Sequence, residues 1–172
     1  MRLLLIIVVL GIAMSQAHGQ EAVTPQFLTD TFLEVCQTAL KNYGHSVSSL
    51  LSAGWRMASS VQKDDPFQSA ELMNPDRSIR ATLQKFEFGP GTFEQCGVEG
   101  YAQFSQADIA DMLKHFPSAK GKTVANKNGS HSGLWLLTDQ LSFTSLNIIY
   151  NEHAASIVTM RTSYSGPPGA PQ

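Results

Sequence analysis

Histidines are the side chains of this chain with the widest chemical repertoire, so their spacing is considered first. Beyond the apolar N-terminal segment they stand at His45, His115, His131 and His153. No pair has the i,i+4 spacing of a helix or the His-x-His spacing of a strand that would direct two imidazoles to one metal. We therefore expect no metal site and no cofactor. His131 and His153 are interpreted as exposed loop residues that could meet in space.

Two short motifs imitate catalytic signatures but lack a required residue. Gly121-Lys122-Thr123 ends like a phosphate-binding loop, yet the first glycine of that motif would fall on Phe116. The segment 129–133 has the outline of a nucleophile elbow, but its central residue is His131 rather than a serine. We interpret it as a hairpin loop preceded by Asn128, which also begins a formal glycosylation sequon. No catalytic residue is assigned.

The N-terminus has the profile of a signal peptide. Arg2 supplies one positive charge before an apolar run that extends from Leu3 to Met14. Such a run reaches only about 18 Å as a helix, short of the roughly 30 Å hydrocarbon core of a membrane. The small residues Ala17 and Gly19 predict cleavage before Gln20. We expect removal of residues 1–19, no membrane anchor after cleavage, and a periplasmic or secreted product; the alternative is a buried N-terminal helix.

The only two cysteines are Cys36 and Cys96. An exported chain enters an oxidising compartment, where an isolated pair normally forms a disulfide. We predict that these residues are bonded. A redox-active dithiol would need a CxxC spacing or neighbouring bases that lower a thiol pKa, and the chain has neither. The predicted bridge is therefore structural.

Length and charge narrow the class of protein. The chain has 172 residues, with 12 basic and 14 acidic side chains and a net charge of −2. Without a basic field to hold a phosphate backbone, we expect no nucleic-acid partner. Residues 20–165 are long enough for one domain with its own core. The Gly- and Pro-rich segment 166–172 is predicted to be a disordered tail.

Three helices are predicted to position the candidate residues. Thr24-Pro25 is a typical helix start, and apolar residues at helical spacing extend the first helix over residues 25–43. A second, shorter helix is predicted from an N-cap at Ser46 to a terminating Gly54. A third follows Ser105, which forms a capping-box pattern with Asp108.

Strands are predicted for most of the remaining chain. The stretch 59–78 is interpreted as a long surface loop with one possible helical turn at its centre. A hairpin follows over residues 79–103, with a bulge expected near Gln84 and Lys85. Four more strands are predicted over residues 122–126, 134–137, 141–150 and 155–163. The order predicts an α+β fold, in which two N-terminal helices and one further helix pack on an antiparallel sheet of about six strands.

The two tryptophans receive different interpretations. Trp135 lies in a continuous apolar run and is expected in the core. Trp55 follows the helix-ending Gly54 and precedes Arg56, so these two residues are the candidate binding residues. Packing against the core is the favoured interpretation of Trp55, and a partner contact is the alternative.

A resemblance adds to this interpretation. Phe32-Leu33-Glu34-Val35-Cys36, Ala53-Gly54-Trp55 and Cys96-Gly97-Val98 together resemble a pattern in small exported proteobacterial proteins without an assigned function. The resemblance implies a periplasmic location and a Cys36–Cys96 bridge, and it supplies no catalytic residue. The leading hypothesis is a non-catalytic periplasmic or secreted binding protein with an unknown protein or small-molecule partner. The alternatives are a small extracytoplasmic hydrolase and an envelope-associated structural protein.

Overall fold

The computed structural model describes residues 22–39, 42–59, 62–64, 67–76, 78–139 and 142–164. The predicted signal peptide and the predicted tail lie outside these residues. Three described helices are α1 (Pro25–Ala39), α2 (Tyr43–Ser52) and α3 (Gln106–Leu113). The nine described strands are β1 (Arg56–Met57), β2 (Gln62–Asp64), β3 (Phe67–Met73), β4 (Ile79–Phe88), β5 (Gly91–Gly100), β6 (Lys120–Ala125), β7 (His131–Asp139), β8 (Ser142–Tyr150) and β9 (Ala155–Tyr164).

All described strands belong to one antiparallel sheet. Eight of them lie in the order β1-β3-β4-β5-β9-β8-β7-β6, and β2 pairs with β3 outside this order. The pairing of β5 with β9 joins the β3–β5 meander to the β6–β9 meander. Because side chains alternate along a strand, the sheet has two chemically distinct faces. The α+β class is therefore confirmed.

One face of the sheet carries the core, and we call it the helix-covered face. Its central positions include Leu83, Cys96 and Ile157, all of which are almost fully buried. Helix α1 packs on this face because its buried residues recur at helical spacing: Leu28, Phe32, Val35, Cys36 and Ala39. Helix α2 contacts β4, and α3 packs against α1. A single one-sided core results.

Local capping explains where the helices begin. Thr24 accepts a hydrogen bond from the Phe27 amide, as expected for the start of α1. Ser105 and Asp108 form the predicted capping box of α3. The N-cap of α2 is Asn42, whose side chain accepts from the His45 amide, and the prediction of Ser46 was wrong. Consequently α1 ends at Ala39 rather than at residue 43, and α2 begins earlier than predicted.

The strand count was underestimated because three strands precede the predicted hairpin. The stretch interpreted as a long loop contains β1, β2 and β3. In β3 the buried Ala70 and Leu72 lie on the core face, but Phe67 and Met73 place apolar residues on the other face too, so the alternation in the sequence is weak. The expected bulge is also absent: β4 pairs with β5 in one continuous register from Ile79 to Phe88. The apolar residues of β4 change from odd-numbered to even-numbered positions after Leu83. Phe86 and Phe88 therefore lie on the face opposite the core.

A glycine makes room for the buried tryptophan of β7. The indole of Trp135, which is 4% exposed, lies over Gly133 on the same strand. A Cβ atom at residue 133 would stand 2.1 Å from the Trp135 ring, so any larger residue would displace the indole. The core assignment of Trp135 is confirmed. His131, expected in a loop, instead begins β7 and stacks on Tyr150 with 5.0 Å between ring centroids.

The predicted disulfide is present. Cys36 of α1 and Cys96 of β5 are bonded, with 5.4 Å between their Cα atoms and a sequence separation of 60. Both residues are about 1% exposed, so the bridge lies within the interface between helix and sheet. It fixes α1 against a central strand of the sheet.

Replacing both cysteines should destabilise the domain without changing its fold. In the chain-entropy model, closing a loop of this length contributes about 4 kcal/mol to the free energy of unfolding. We expect Cys36→Ala/Cys96→Ala to lose about 2–5 kcal/mol in urea-induced unfolding. Adding reductant to the unsubstituted chain provides the control and should cause a comparable loss. Unchanged unfolding midpoints in both experiments would contradict a stabilising bridge.

Candidate functional site

A cleft of about 280 Å³ opens at one end of the sheet. It forms where β3, β5 and β8 end and β4 and β9 begin, because antiparallel neighbours bring alternate chain ends to the same edge. The described residues that line it are Met73, Ser78, Arg80, Glu99, Gly100, Tyr101, Ile149, Tyr150, Asn151, Ala154, Ala155 and Ser156. The cleft thus collects residues from four separate stretches of the chain.

Arg80 is the cationic group of the cleft. Its Nε lies 3.0 Å from a carboxylate oxygen of Glu71, and its Nη1 lies 3.5 Å from one of Glu99. Glu99 stands directly opposite Arg80 in the β4–β5 ladder, and Glu71 is on the adjoining strand β3. One guanidinium is therefore shared by two carboxylates, of which Glu99 is half-exposed and Glu71 is less so. Such a group holds hydrogen-bond donors and acceptors side by side at the cleft wall.

A structured turn supports the same wall. The buried side chain of Asn74 accepts a hydrogen bond from the Ile79 amide at 2.9 Å and donates to the Ser78 hydroxyl at 3.1 Å. Ser78 also donates its hydroxyl and its amide to Asp76. These hydrogen bonds from Ser78 lower the pKa of Asp76 below its ordinary value. The Ser78 hydroxyl is thus committed to the turn.

Tyrosines provide the aromatic part of the cleft. Tyr150 is 5% exposed, and burial raises the pKa of its phenol above the ordinary value. Phe104 and His131 hold the Tyr150 ring at centroid distances of 6.4 and 5.0 Å. Tyr101 is 46% exposed, and its carbonyl accepts a hydrogen bond from the Val23 amide. One ring is fixed within the wall, and the other is available at the surface.

The sheet face opposite the helices borders this cleft, and we call it the open face. Five of the eight large hydrophobic residues that are exposed in the described chain belong to it: Phe86, Val124, Leu134, Leu136 and Ile149. Ile149, which is 55% exposed, also lines the cleft. The apolar surface and the charged cleft are therefore continuous.

A second polar cluster lies on the helix-covered face, toward the other end of the sheet. Arg161 and Glu94 stand opposite each other in the β5–β9 ladder, with 2.8 Å between Nη2 and Oε2. The Nε of Arg161 and the hydroxyl of the neighbouring Thr159 are buried without a hydrogen-bond partner among the described residues. The ion pair offsets only part of the free-energy cost of removing the Arg161 and Thr159 polar groups from water. We interpret the cluster as a polar border of the core.

The candidate residues proposed from the sequence lie outside the cleft. Trp55 is half-buried and packs against the core, and its amide donates to the Leu50 carbonyl at 3.0 Å. Arg56 is exposed in β1, opposite the cleft residue Met73. His153 lies in the β8–β9 turn, as expected. In the described chain, no three His, Cys, Asp or Glu side chains are grouped closely enough to hold a metal ion.

Sequence reasoning missed Arg80 and Glu99, although one signal was available. The reversal at Gly89-Pro90 pairs Phe88 with Gly91, and counting back along both strands places Arg80 opposite Glu99. The contributions of Tyr101 and Ile149 had no comparable signal, because they depend on the pairing of strands that are distant in sequence.

The chain matches no protein-family model, no curated protein and no solved structure. None of the described helices is long and apolar enough to cross a membrane. The cleft and the open face are therefore the features of this chain that bear on its function.

Substitution of Trp55 should separate a packing role from a binding role. Because the indole is half-buried against the core, we expect Trp55→Ala to lower the free energy of unfolding by about 3 kcal/mol. The adjacent, exposed Arg56 provides the matched control, and Arg56→Ala should change it by less than about 0.5 kcal/mol. An unchanged thermal midpoint for Trp55→Ala would instead identify Trp55 as a surface contact.

Proposed function

We propose that this chain is an exported, non-catalytic binding protein whose ligand occupies the cleft at the strand ends. The observation that carries the proposal is the cleft itself, where the Arg80 guanidinium, the Glu99 carboxylate and the exposed Tyr101 ring face a volume of about 280 Å³. This volume is near the lower limit of small-molecule sites, which suits a compact polar molecule or the end of a peptide.

The charges of the cleft favour a ligand with both donors and acceptors. Arg80 is already paired with Glu71 and Glu99, so a simple anion would meet a guanidinium whose charge two carboxylates offset. A ligand with a donor for Glu99 and an acceptor for Arg80 could bind beside the pair without breaking it. Tyr101 and Ile149 would contact the apolar part of such a molecule. A small polar ligand with one apolar side fits this arrangement.

Binding is favoured over hydrolysis by the chemistry of the lining. Ser78 is 6% exposed, and its hydroxyl donates to Asp76, whose lowered pKa makes the carboxylate a weak base. A serine nucleophile needs an adjacent base that accepts its proton, usually a histidine. The described lining residues include no histidine, and His131 stacks on the Tyr150 ring without being one of them. The hydrolase alternative therefore has less support than binding.

Export is part of the proposal. A structural disulfide in a small domain suits an oxidising compartment, and the signal-peptide profile of residues 1–19 points in the same direction. The periplasm of a proteobacterium is the compartment that the sequence resemblance favours.

Processing of the N-terminus tests the export proposal. When the full chain is produced in a bacterium with a periplasm, we expect the purified protein to begin at Gln20 and to be two hydrogens lighter than its reduced form. Intact mass spectrometry under non-reducing conditions measures both properties. Protein that retains Met1 and both thiols would contradict export.

Charge removal in the cleft tests the binding proposal. We would screen amino acids, dipeptides and neutral sugars by saturation-transfer NMR and determine the affinity of each hit. We expect Glu99→Gln to weaken a hit by at least about 10-fold, because the ligand loses a charged acceptor. Glu87→Gln is the matched control. Glu87 is 54% exposed and Glu99 is 55% exposed, each paired with one cation, but Glu87 lies at the other end of β4.

Two outcomes would overturn this assignment. Equal affinity in Glu99→Gln and in the unsubstituted protein would remove the cleft as the ligand site. Hydrolysis of a p-nitrophenyl ester that Glu99→Gln abolishes would favour the hydrolase alternative.

A further inference from the structure

The cleft has a charged wall and an aliphatic wall on either side of a low floor. Glu99 of β5, Ser156 of β9 and Ile149 of β8 are cross-strand neighbours in one row on the open face. Two strand spacings, about 10 Å in total, separate the backbones at Glu99 and Ile149. The floor between them has small side chains, those of Ser156 and of Ala154, which lines the cleft just before β9 begins. A ligand on this floor would contact a carboxylate on one side and an aliphatic side chain on the other.

The charged wall has a net negative charge. Arg80 contributes one positive charge, and Glu71 and Glu99 contribute one negative charge each. Glu71 lies nearer to the guanidinium, at 3.0 Å from Nε against 3.5 Å between Glu99 and Nη1, and only Glu99 lines the cleft. The Glu99 side chain is also the more exposed of the two, at 55% against 31%. The negative charge that Arg80 does not neutralise is therefore available to a ligand at Glu99.

The charges farther out cancel in pairs. Arg56 in β1 and Glu152 in the β8–β9 turn stand next to cleft residues and carry opposite charges. Asp76 and Arg77, which are adjacent in the sequence between β3 and β4, also carry opposite charges. Because each pair sums to zero, the group around Arg80 sets the sign of the charge that a ligand meets.

The other acceptors of the cleft are engaged within the protein. The side-chain oxygen of Asn151 accepts from two amides of its own turn, and the Tyr101 carbonyl accepts from the Val23 amide. Glu99 is the charged acceptor that lines the cleft, and a carboxylate accepts more than one hydrogen bond. A protonated amine matches it best, because charge-assisted hydrogen bonds are roughly twice as strong as neutral ones. The exposed ring of Tyr101 also attracts a cation.

Arg80 provides a place for a neutral acceptor beside that amine. Its guanidinium has further N–H donors, and the side chain is 47% exposed. Two carboxylates offset its charge, so an uncharged carbonyl oxygen suits it better than an anion. Arg80 and Glu99 are directly opposite in the β4–β5 ladder, so the ligand needs its amine and its carbonyl close together. The N-terminal residue of a peptide has this arrangement, since one carbon atom carries the amine, the carbonyl and the side chain.

We propose that the cleft binds the N-terminal residue of a peptide. The ammonium group would pair with Glu99, the carbonyl oxygen would accept from Arg80, and an aliphatic side chain would pack against Ile149, which is 55% exposed. The inference rests on the proposed function, because it names the ligand of the same cleft. A volume of about 280 Å³ is small for a ligand site, which suits one residue rather than a longer segment.

A matched series of probes tests the inference on the unsubstituted, processed protein. L-valinamide has an amine, an uncharged carbonyl and an aliphatic side chain. Its N-acetyl derivative lacks the charged amine, and L-valine has a carboxylate in place of the amide. Heteronuclear NMR titration measures each affinity and locates the probe through the amide signals of the cleft residues. We expect N-acetylation to weaken binding by at least about 10-fold, and L-valine to bind less tightly than L-valinamide.

The variant Glu99→Gln separates the charge of the wall from its shape. It should weaken L-valinamide by at least about 10-fold and change the affinity of the N-acetyl derivative by less than about 2-fold. Glu87→Gln is the matched control, because Glu87 is similarly exposed and also paired with one cation but lies at the other end of β4. This control variant should retain the full preference for the free amine.

Equal affinities for L-valinamide and its N-acetyl derivative would overturn the inference, as would tighter binding of L-valine than of L-valinamide. A compound without an amine that binds more tightly than L-valinamide, and that loses affinity in Glu99→Gln, would overturn the inference and leave the proposed function intact. If no compound shows binding that depends on Glu99, the inference and the proposed function are both overturned.

Discussion

The contact between α1 and β5 is the interaction on which the remaining structure depends. Helix α1 has no acidic residue in its first turn and no basic residue in its last, so it lacks charges that would stabilise its dipole. A helix of 15 residues is marginal alone, and its stability comes from burial against the sheet and from the Cys36–Cys96 bridge. Because β5 joins the two meanders of the sheet, the bridge fixes the helix where those halves meet. Helix α3 then packs on α1, so its position also depends on this contact.

Covering one face of the sheet determines the chemistry of the other. The apolar residues that the core requires occupy alternate positions, and the intervening positions are free to carry other side chains. In β4 and β5 these positions hold Arg80 and Glu99 at the cleft end and Phe86 and Phe93 at the other end. In β7 they hold Leu134 and Leu136, which the core does not use. The open face is therefore polar where β4 and β5 border the cleft, and it is apolar toward the other end of those strands and along β7.

Local signals in the sequence predicted much of this fold. The six strands β4 to β9 were predicted as segments bounded by turn sequences, and the capping box of Ser105 marked the start of α3. Strands β1 and β2 were missed because they have only two and three residues, and β3 was missed because its apolar residues fall on both faces. The start of α2 was missed because Asn42 precedes residues that continue the apolar spacing of α1. The bridge was predicted from composition and compartment alone, since the chain has only two cysteines.

The cleft could not be predicted from local sequence signals. It depends on how the three chain connections at one end of the sheet differ from one another. Asn74 closes the β3–β4 turn through the Ile79 amide, and Asn151 closes the β8–β9 turn by accepting from the amides of His153 and Ala154. Between these tight turns β5 does not reverse; the chain leaves the sheet at Tyr101 and continues to α3. Each asparagine turn can be predicted from its own local sequence. The space between the two turns exists only because β9 pairs with β5. A pairing of β9 with another strand would keep every local motif and abolish the cleft, so the site is a property of the topology rather than of any one motif.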